Sequence, residues 1–188
     1  NTTKPINIIV VMLESVSINR LGFMGNKLNP TPNLDKMIKD SYLFTNFFFP
    51  ARSTAKSVFT SLFSIPDVSS IRTASRNPFI KKQYSLVNDL VNYEKQYFIG
   101  GSLSWANMRG LFNRFIPDMK LFEGEYHSKY PLVDVWGLSD RDLFKEAHNH
   151  LEVLASNKKS FFSYIQTAGN HRPFTIPKGT DYKIKTFS

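Results

Sequence analysis

The 188-residue sequence predicts an α/β sandwich with a largely parallel sheet. Two apolar runs and what lies between them carry that expectation. Ile6 to Leu13 is a continuous, β-branched run of the kind that forms a strand buried on both faces of a parallel sheet. Ser160 to Gln166 (SFFSYIQ) is a second such strand, and the intervening chain alternates helical patterns with further apolar segments.

After the first strand, Pro30, Thr31 and Pro32 form a turn, and Asn33 is the expected N-cap of a helix from Leu34 to about Asp40. Tyr42 to Phe49 (YLFTNFFF) reads as an apolar strand. A polar loop, Pro50 to Ser53, leads to a helix over Thr54 to Phe63, with Val58, Phe59 and Leu62 on one face. Asp67 to Lys82, rich in Ser, Arg and Lys, is the expected exposed excursion. Tyr84 to Asn92 reads as a helix, and Gln96 to Gly100 as a short strand ending in Gly100-Gly101. Ser139, with Asp142 three positions on, resembles a capping box opening a helix through Leu154. There is no internal repeat and no low-complexity linker, so a single domain spanning residues 1–188 is expected.

Composition narrows the function classes. The chain is 41% hydrophobic and 21% charged, which argues against disorder. Zero Cys excludes disulfide frameworks, thiolate metal sites and Cys nucleophiles. The formal charge of +9 favours anionic partners: phosphorylated substrates, acidic headgroups or nucleic acid. The basic residues are scattered and the aromatics fall in apolar runs, with no helix-turn-helix, zinc-finger or RNP pattern, so nucleic acid is not expected as a partner. No run is long enough to cross a bilayer, and the polar start is not a signal peptide.

Three polar groups fall just after predicted strands or at a helix start: Glu14, Thr54 and His171. A carboxylate following a buried strand is costly unless paired or bound to a cation. A hydroxyl at a helix N-terminus either caps it or stands where free N–H groups favour an anion. His171 could equally be a loop histidine making one backbone hydrogen bond. His127, His148 and His150 lack metal-ligand spacing and read as surface residues.

The order of these pieces resembles the sulfatase-like, phosphoglycerol-transferase branch of the alkaline phosphatase superfamily, the group that includes lipoteichoic acid synthases. The matching stretches are Asn7 to Ser15 (NIIVVMLES), Thr31 to Asp35 (TPNLD), Phe44 to Phe47 (FTNF) and Ser53-Thr54 leading to Ile65-Pro66. Asn107 to Phe112, Trp136 to Asp140 and Asn170 to Phe174 (NHRPF) complete the set, in family order over nearly the whole chain. The resemblance implies an alkaline phosphatase/sulfatase-like α/β/α sandwich that is C-terminally incomplete. It implies that Glu14 is a metal ligand and that Thr54 is both nucleophile and metal ligand, with Ser53 the runner-up. Lys56 and Ser57 would lie near the phosphate, and Arg109, His171 and Trp105 would meet the substrate. The implied cofactor is a divalent metal, manganese first, with magnesium or zinc as alternatives.

Sulfatases proper carry Cys or Ser in a Cys/Ser-x-Pro-x-Arg context. Thr54-Ala55-Lys56-Ser57 lacks both the Pro and the Arg, favouring phosphate-ester over sulfate-ester chemistry. The implied reaction moves phosphoglycerol from an anionic phospholipid to a glycan or polymer acceptor, on the extracellular or periplasmic side of the cell membrane. The membrane anchor would lie in a missing amino-terminal segment. A phosphodiesterase, a sulfuric ester hydrolase and a non-catalytic lipid-binding relative are the alternatives. The family's further metal ligands form an Asp-His pair, and no Asp-His dipeptide occurs in this sequence. The stretch by itself is therefore expected to hold metal weakly and not to turn over, and to leave a sheet edge and apolar surface exposed.

Overall fold

The computed structural model describes residues 6–50, 52–70, 83–124 and 129–180. The chain divides into two compact units, Asn1–Glu14 with Phe49–Thr175 and Ser15–Phe48 with Ile176–Ser188.

The first unit is built on a four-stranded parallel sheet of β1 (Ile8–Met12), β2 (Glu94–Ile99), β3 (Lys120–Glu123) and β6 (Phe161–Gln166), in the order β1-β6-β2-β3. A short antiparallel ribbon pairs β4 (Leu132–Asp134) with β5 (Gly137–Leu138). The helices of this unit are α2 (Thr54–Phe63), α3 (Met108–Phe115) and α4 (Asp140–Ser156). Alternate side chains of the central strands point to opposite faces and define two cores. Tyr97, Phe162 and Tyr164 pack with Val58, Phe59 and Leu62 of α2 and Leu111 and Phe112 of α3. Phe98 and Ile165 pack on the other face against Leu143 and Ala147 of α4. The result is the expected α/β/α layering around a parallel sheet.

Strand burial follows rank in the sheet. β6 lies between two neighbours and is buried at every residue, whereas β1 is an edge strand with alternating burial. Among the described residues nothing covers the outer face of β1, and Ile9 and Val11 are 50% and 43% exposed.

Other expectations need correction. Tyr42–Phe49 forms no strand, and its aromatics stand exposed, Tyr42 at 97% and Phe48 at 80%. Among the described residues it pairs with no ladder, and without a partner an apolar run has no reason to extend as a strand. The helix expected over Tyr84–Asn92 shrinks to a 3-10 turn, Leu86–Asp89, capped by Ser85 Oγ accepting from the Val87 N–H. α3 and β3 are not among the elements the apolar pattern predicts. Asp67 is buried, so the expected excursion does not start there, and 71–82 lie outside the described residues. α2 matches its expected span, and α4 opens at Ser139, whose Oγ accepts from the Asp142 N–H at 3.1 Å.

The second unit holds α1 (Pro32–Ile38) and two 3-10 turns, Ile18–Arg20 and Gly22–Met24. The helix starts one residue after Thr31, with Pro at its first position, where its missing N–H costs nothing; Asn33 is inside the helix and is not its cap. Thr31 Oγ1 accepts from the Gly22 N–H at 2.8 Å and donates to Asp35 Oδ1, which also accepts from the Phe23 N–H. The Thr and Asp of the Thr-Pro-Asn-Leu-Asp segment thus hold this turn against its helix.

Candidate active site

All four strands of the main sheet run the same way, so their carboxyl ends gather on one edge, where open α/β sheets bind ligands. Glu14 follows β1 there. The alternation of β1 carries on past its last paired residue, so that Met12 and Glu14 share one face while Leu13 turns outward. Thr167, buried beyond the end of β6, extends the ladder with both its backbone and its side chain. Its N–H donates to Met12 O at 3.1 Å, and its Oγ1 accepts from the Glu14 N–H at 3.0 Å. The backbone of Glu14 is therefore fixed from a neighbouring strand.

Thr54 is the first residue of α2. Ser53 precedes it as N-cap without a side-chain bond to the helix. Thr54 Oγ1 donates to Glu14 Oε1 at 3.0 Å, joining residues 40 positions apart. The cap is thus Ser53, and the Thr54 hydroxyl is turned to the carboxylate. The first N–H groups of α2 have no intrahelical acceptors and carry the positive end of its dipole, which suits an anion.

A carboxylate and a hydroxyl side by side are hard oxygen donors of the kind that divalent manganese or magnesium takes. They fit part of such a site. Among the described residues there is no cluster of three or more His, Asp or Glu able to complete one.

The other expected site residues have definite partners. Lys56 is buried, its ammonium donating to Ser69 O and lying 3.8 Å from Asp67 Oδ1. Ser57 is buried in the first turn of α2, its N–H donating to Ser53 O. Arg109, in the first turn of α3, grips Glu123 with both terminal nitrogens, Nη1 to Oε1 at 2.6 Å and Nη2 to Oε2 at 2.9 Å. Glu123, at the end of β3, is fully buried and also accepts from the Leu103 N–H at 2.6 Å. Trp105 is 48% exposed, so it is no core residue. It opens a 3-10 turn in which Ala106 and Asn107 take successive positive φ of 53° and 54°, a strained entry to α3 for two non-glycine residues.

His171 Nδ1 lies 2.9 Å from Arg172 O, and its ring packs on Trp136 with centroids 3.9 Å apart. Trp136 Nε1 donates to the same Arg172 carbonyl at 2.6 Å. Asp140 holds the start of this loop, its Oδ1 accepting from the Ala168 and Gly169 N–H groups. The Trp136–Asp140 segment is thereby explained as a buttress for the histidine loop. His148 is exposed, but His150 is not a plain surface residue: its ring lies against Phe122 and Phe98. His127 lies outside the described residues.

Sequence reasoning missed Glu123 and Thr167. Glu123 ends a four-residue strand too short to show an apolar period, and Thr167 reads as an ordinary loop residue until β1 is placed beside β6.

Burial also acts on two phenols beneath the site. Tyr164 is pushed up to about 12, chiefly by desolvation, with the Ser61 hydrogen bond opposing and the Glu14 charge adding to the rise. Tyr97, which donates to Gln166 Oε1, is raised well above the ordinary value, mainly by burial, then by the charges of Tyr164 and Glu14.

Known proteins resemble this chain in sequence and in fold. The lipoteichoic acid synthase of Staphylococcus aureus (strain bovine RF122 / ET3-1) is 28% identical over 180 residues, 90% of this chain and 27% of its own. That of Staphylococcus saprophyticus is 26% identical over 179 residues, with the same coverage. The chain spans about a quarter of the length of these curated relatives. Among solved structures, an alkaline phosphatase superfamily protein from Vibrio parahaemolyticus superposes with a TM-score of 0.82 at 25% identity, covering 100% of this chain and 45% of that one. The lipoteichoic acid synthase LtaP of Listeria monocytogenes has the same fold, with a TM-score of 0.75 at 23% identity over 92% of this chain and 42% of its own. The Sulfatase family model matches residues 6–188, nearly the entire sequence. On that match, and on a sheet and helix layering held in common with the alkaline phosphatase superfamily, the chain belongs to the sulfatase family.

Proposed function

We propose that the protein is a metal-dependent phosphotransferase of the lipoteichoic acid synthase type, moving phosphoglycerol from an anionic phospholipid to a glycan or polymer hydroxyl. The observation that supports this most is the 3.0 Å bond from Thr54 Oγ1 to Glu14 Oε1, at the head of a helix and the carboxyl end of the sheet. In this reading Glu14 and Thr54 hold a divalent cation, with its remaining ligands supplied from elsewhere in the protein. When bound, such a cation lowers the pKa of a coordinated hydroxyl and so makes threonine a competent nucleophile near neutral pH.

The chain's own groups divide the remaining work. Glu14 Oε1 orients the Thr54 proton away from the attacking lone pair, and Thr167 keeps the Glu14 backbone in place. The N-terminus of α2 receives the phosphoryl oxygens, where preorganised N–H groups stabilise growing charge. The Thr54 Oγ–P bond forms as the P–O bond to diacylglycerol breaks, and the proton that Thr54 loses ends on the departing alkoxide. An acceptor hydroxyl then displaces Thr54 from phosphorus, and the proton it loses restores the Thr54 hydroxyl. Arg109 and His171 serve the substrate side, and Trp105 lines it. The positive charge of the chain favours an anionic bilayer surface, and in this reading the reaction takes place at the outer face of the cell membrane. No described helix is long and apolar enough to cross a membrane.

In the full-length protein, Thr54→Ala should abolish diacylglycerol release from phosphatidylglycerol vesicles. Trapping of phosphoglycerol on Thr54, detected by peptide mass spectrometry, should vanish with it. Undiminished release by that variant would refute the assignment.

A further inference from the structure

Thr54 and Glu14 reach each other from two elements with no covalent link nearby, so something must set the register of α2 against β1. A second polar bridge spans the same two faces. Ser61 lies seven residues after Thr54, two helical turns along and on the same side of α2. Met12 lies two residues before Glu14, on the same face of its strand. Between them stands the Tyr164 hydroxyl, 2.8 Å from Ser61 Oγ and 3.1 Å from Met12 Sδ. Two rungs therefore join one helix face to one strand face: Thr54–Glu14 at the site, and Ser61–Tyr164–Met12 deeper in.

We infer that Tyr164 is a positioning residue that holds α2 and β1 in the register at which the Thr54 hydroxyl meets the Glu14 carboxylate. The inference rests on the reading of those two residues as the reactive pair. The ring of Tyr164 is buried to 1% exposure and stacks on Tyr97 at 5.2 Å with planes 16° apart, so its oxygen has little room to wander. Each hydroxyl has a single hydrogen. Either Ser61 donates to Tyr164 while Tyr164 donates to sulfur, or Tyr164 donates to Ser61 while Ser61 donates to Val58 O. The first carries the bond from α2 through to β1; the second ties α2 to β6, which the sheet ladder joins to β1. The phenol also stays protonated across the physiological range, so the rung does not come and go with pH.

The test is Tyr164→Phe in the full-length, metal-stripped protein, titrated calorimetrically with manganese chloride and assayed in parallel on phosphatidylglycerol vesicles. Loss of one hydroxyl that orients a ligand pair should weaken manganese binding by about tenfold and lower kcat by a similar factor, with KM nearly unchanged. Ser61→Ala cuts the rung from the exposed side of α2, where folding is not at risk, and should reproduce the loss. Adding it to Tyr164→Phe should bring no further decrease. Ser163→Ala is the control: its hydroxyl is equally buried on β6 and has no hydrogen-bond partner among the described residues. It should bind manganese as the wild type does. Wild-type affinity in both Tyr164→Phe and Ser61→Ala overturns the inference, as does an equal loss in Ser163→Ala. A wild-type protein that takes up no manganese and releases no diacylglycerol overturns the reading of Glu14 and Thr54 itself, a different result.

Discussion

Arg109→Ala separates two roles that an activity assay alone would merge. Glu123 has no exposed side-chain surface, and Arg109 is its bidentate partner. Removing the guanidinium leaves the carboxylate buried without this countercharge, while the Leu103 N–H and the Ser102 hydroxyl still donate to it. Breaking a buried pair from one side costs about 3–5 kcal/mol. The Arg109 side chain is 40% exposed, so water weakens the pair and the lower end, about 3 kcal/mol, is expected. Glu123→Gln removes the charge but keeps an oxygen for the Leu103 N–H. The double variant Arg109→Ala/Glu123→Gln should therefore recover stability, costing about 1–2 kcal/mol in total. Urea denaturation of the four proteins closes the cycle. A loss within about 0.5 kcal/mol for Arg109→Ala, the range of ordinary surface substitutions, would refute the reasoning; so would strictly additive effects. If the cycle behaves as expected, lost activity in Arg109→Ala reports a displaced loop as well as a missing phosphate contact.

Three further outcomes follow from the same geometry. Tyr164 titrates at about 12 in the folded protein against an ordinary value of 10.0. The unfolded chain therefore releases this proton first, and the contribution of Tyr164 to stability, full below about pH 10, should fall by about 2–3 kcal/mol as pH rises from about 10 to about 12. Tyr164→Phe should flatten that part of the profile in an alkaline denaturation series, and an unchanged slope would contradict the assignment. Gly137 has φ +104°, and a Cβ there would sit 1.9 Å from Gly100 O. Gly137→Ala should cost at least about 2–3 kcal/mol, read as a lowered Tm, because strain and a backbone clash add. Ser139→Ala removes the α4 cap and should cost about 1 kcal/mol in the same assay; no change would mean that water replaces the hydroxyl.

Local chemistry was legible wherever a short stretch settles its own conformation. The span of α2 and its apolar face, the Ser139 cap and the β6 run need only neighbours within a turn or two. Family order named Glu14 and Thr54, and the fold sets them 3.0 Å apart. What could not be read was rank and reach. β1 and β6 have similar apolar sequences, yet among the described residues one is an edge and the other central. Tyr42–Phe49 has the composition of a strand and pairs with nothing among the described residues. The partners of the Lys56 ammonium, Ser69 O and Asp67, come from a turn more than ten residues away that no local pattern brings near.

The sequence by itself determined the class of the fold, the helix that carries Thr54 and the oxygen chemistry of the pair, because these follow from residue type and from bonds a few positions long. Only the tertiary structure decided which groups meet. Thr167 on the Glu14 backbone, Glu123 in the fork of Arg109 and Tyr164 between Ser61 and Met12 all join residues far apart in the chain. Such contacts depend on strand order and helix register, which side-chain packing across the sheet sets and no local pattern encodes.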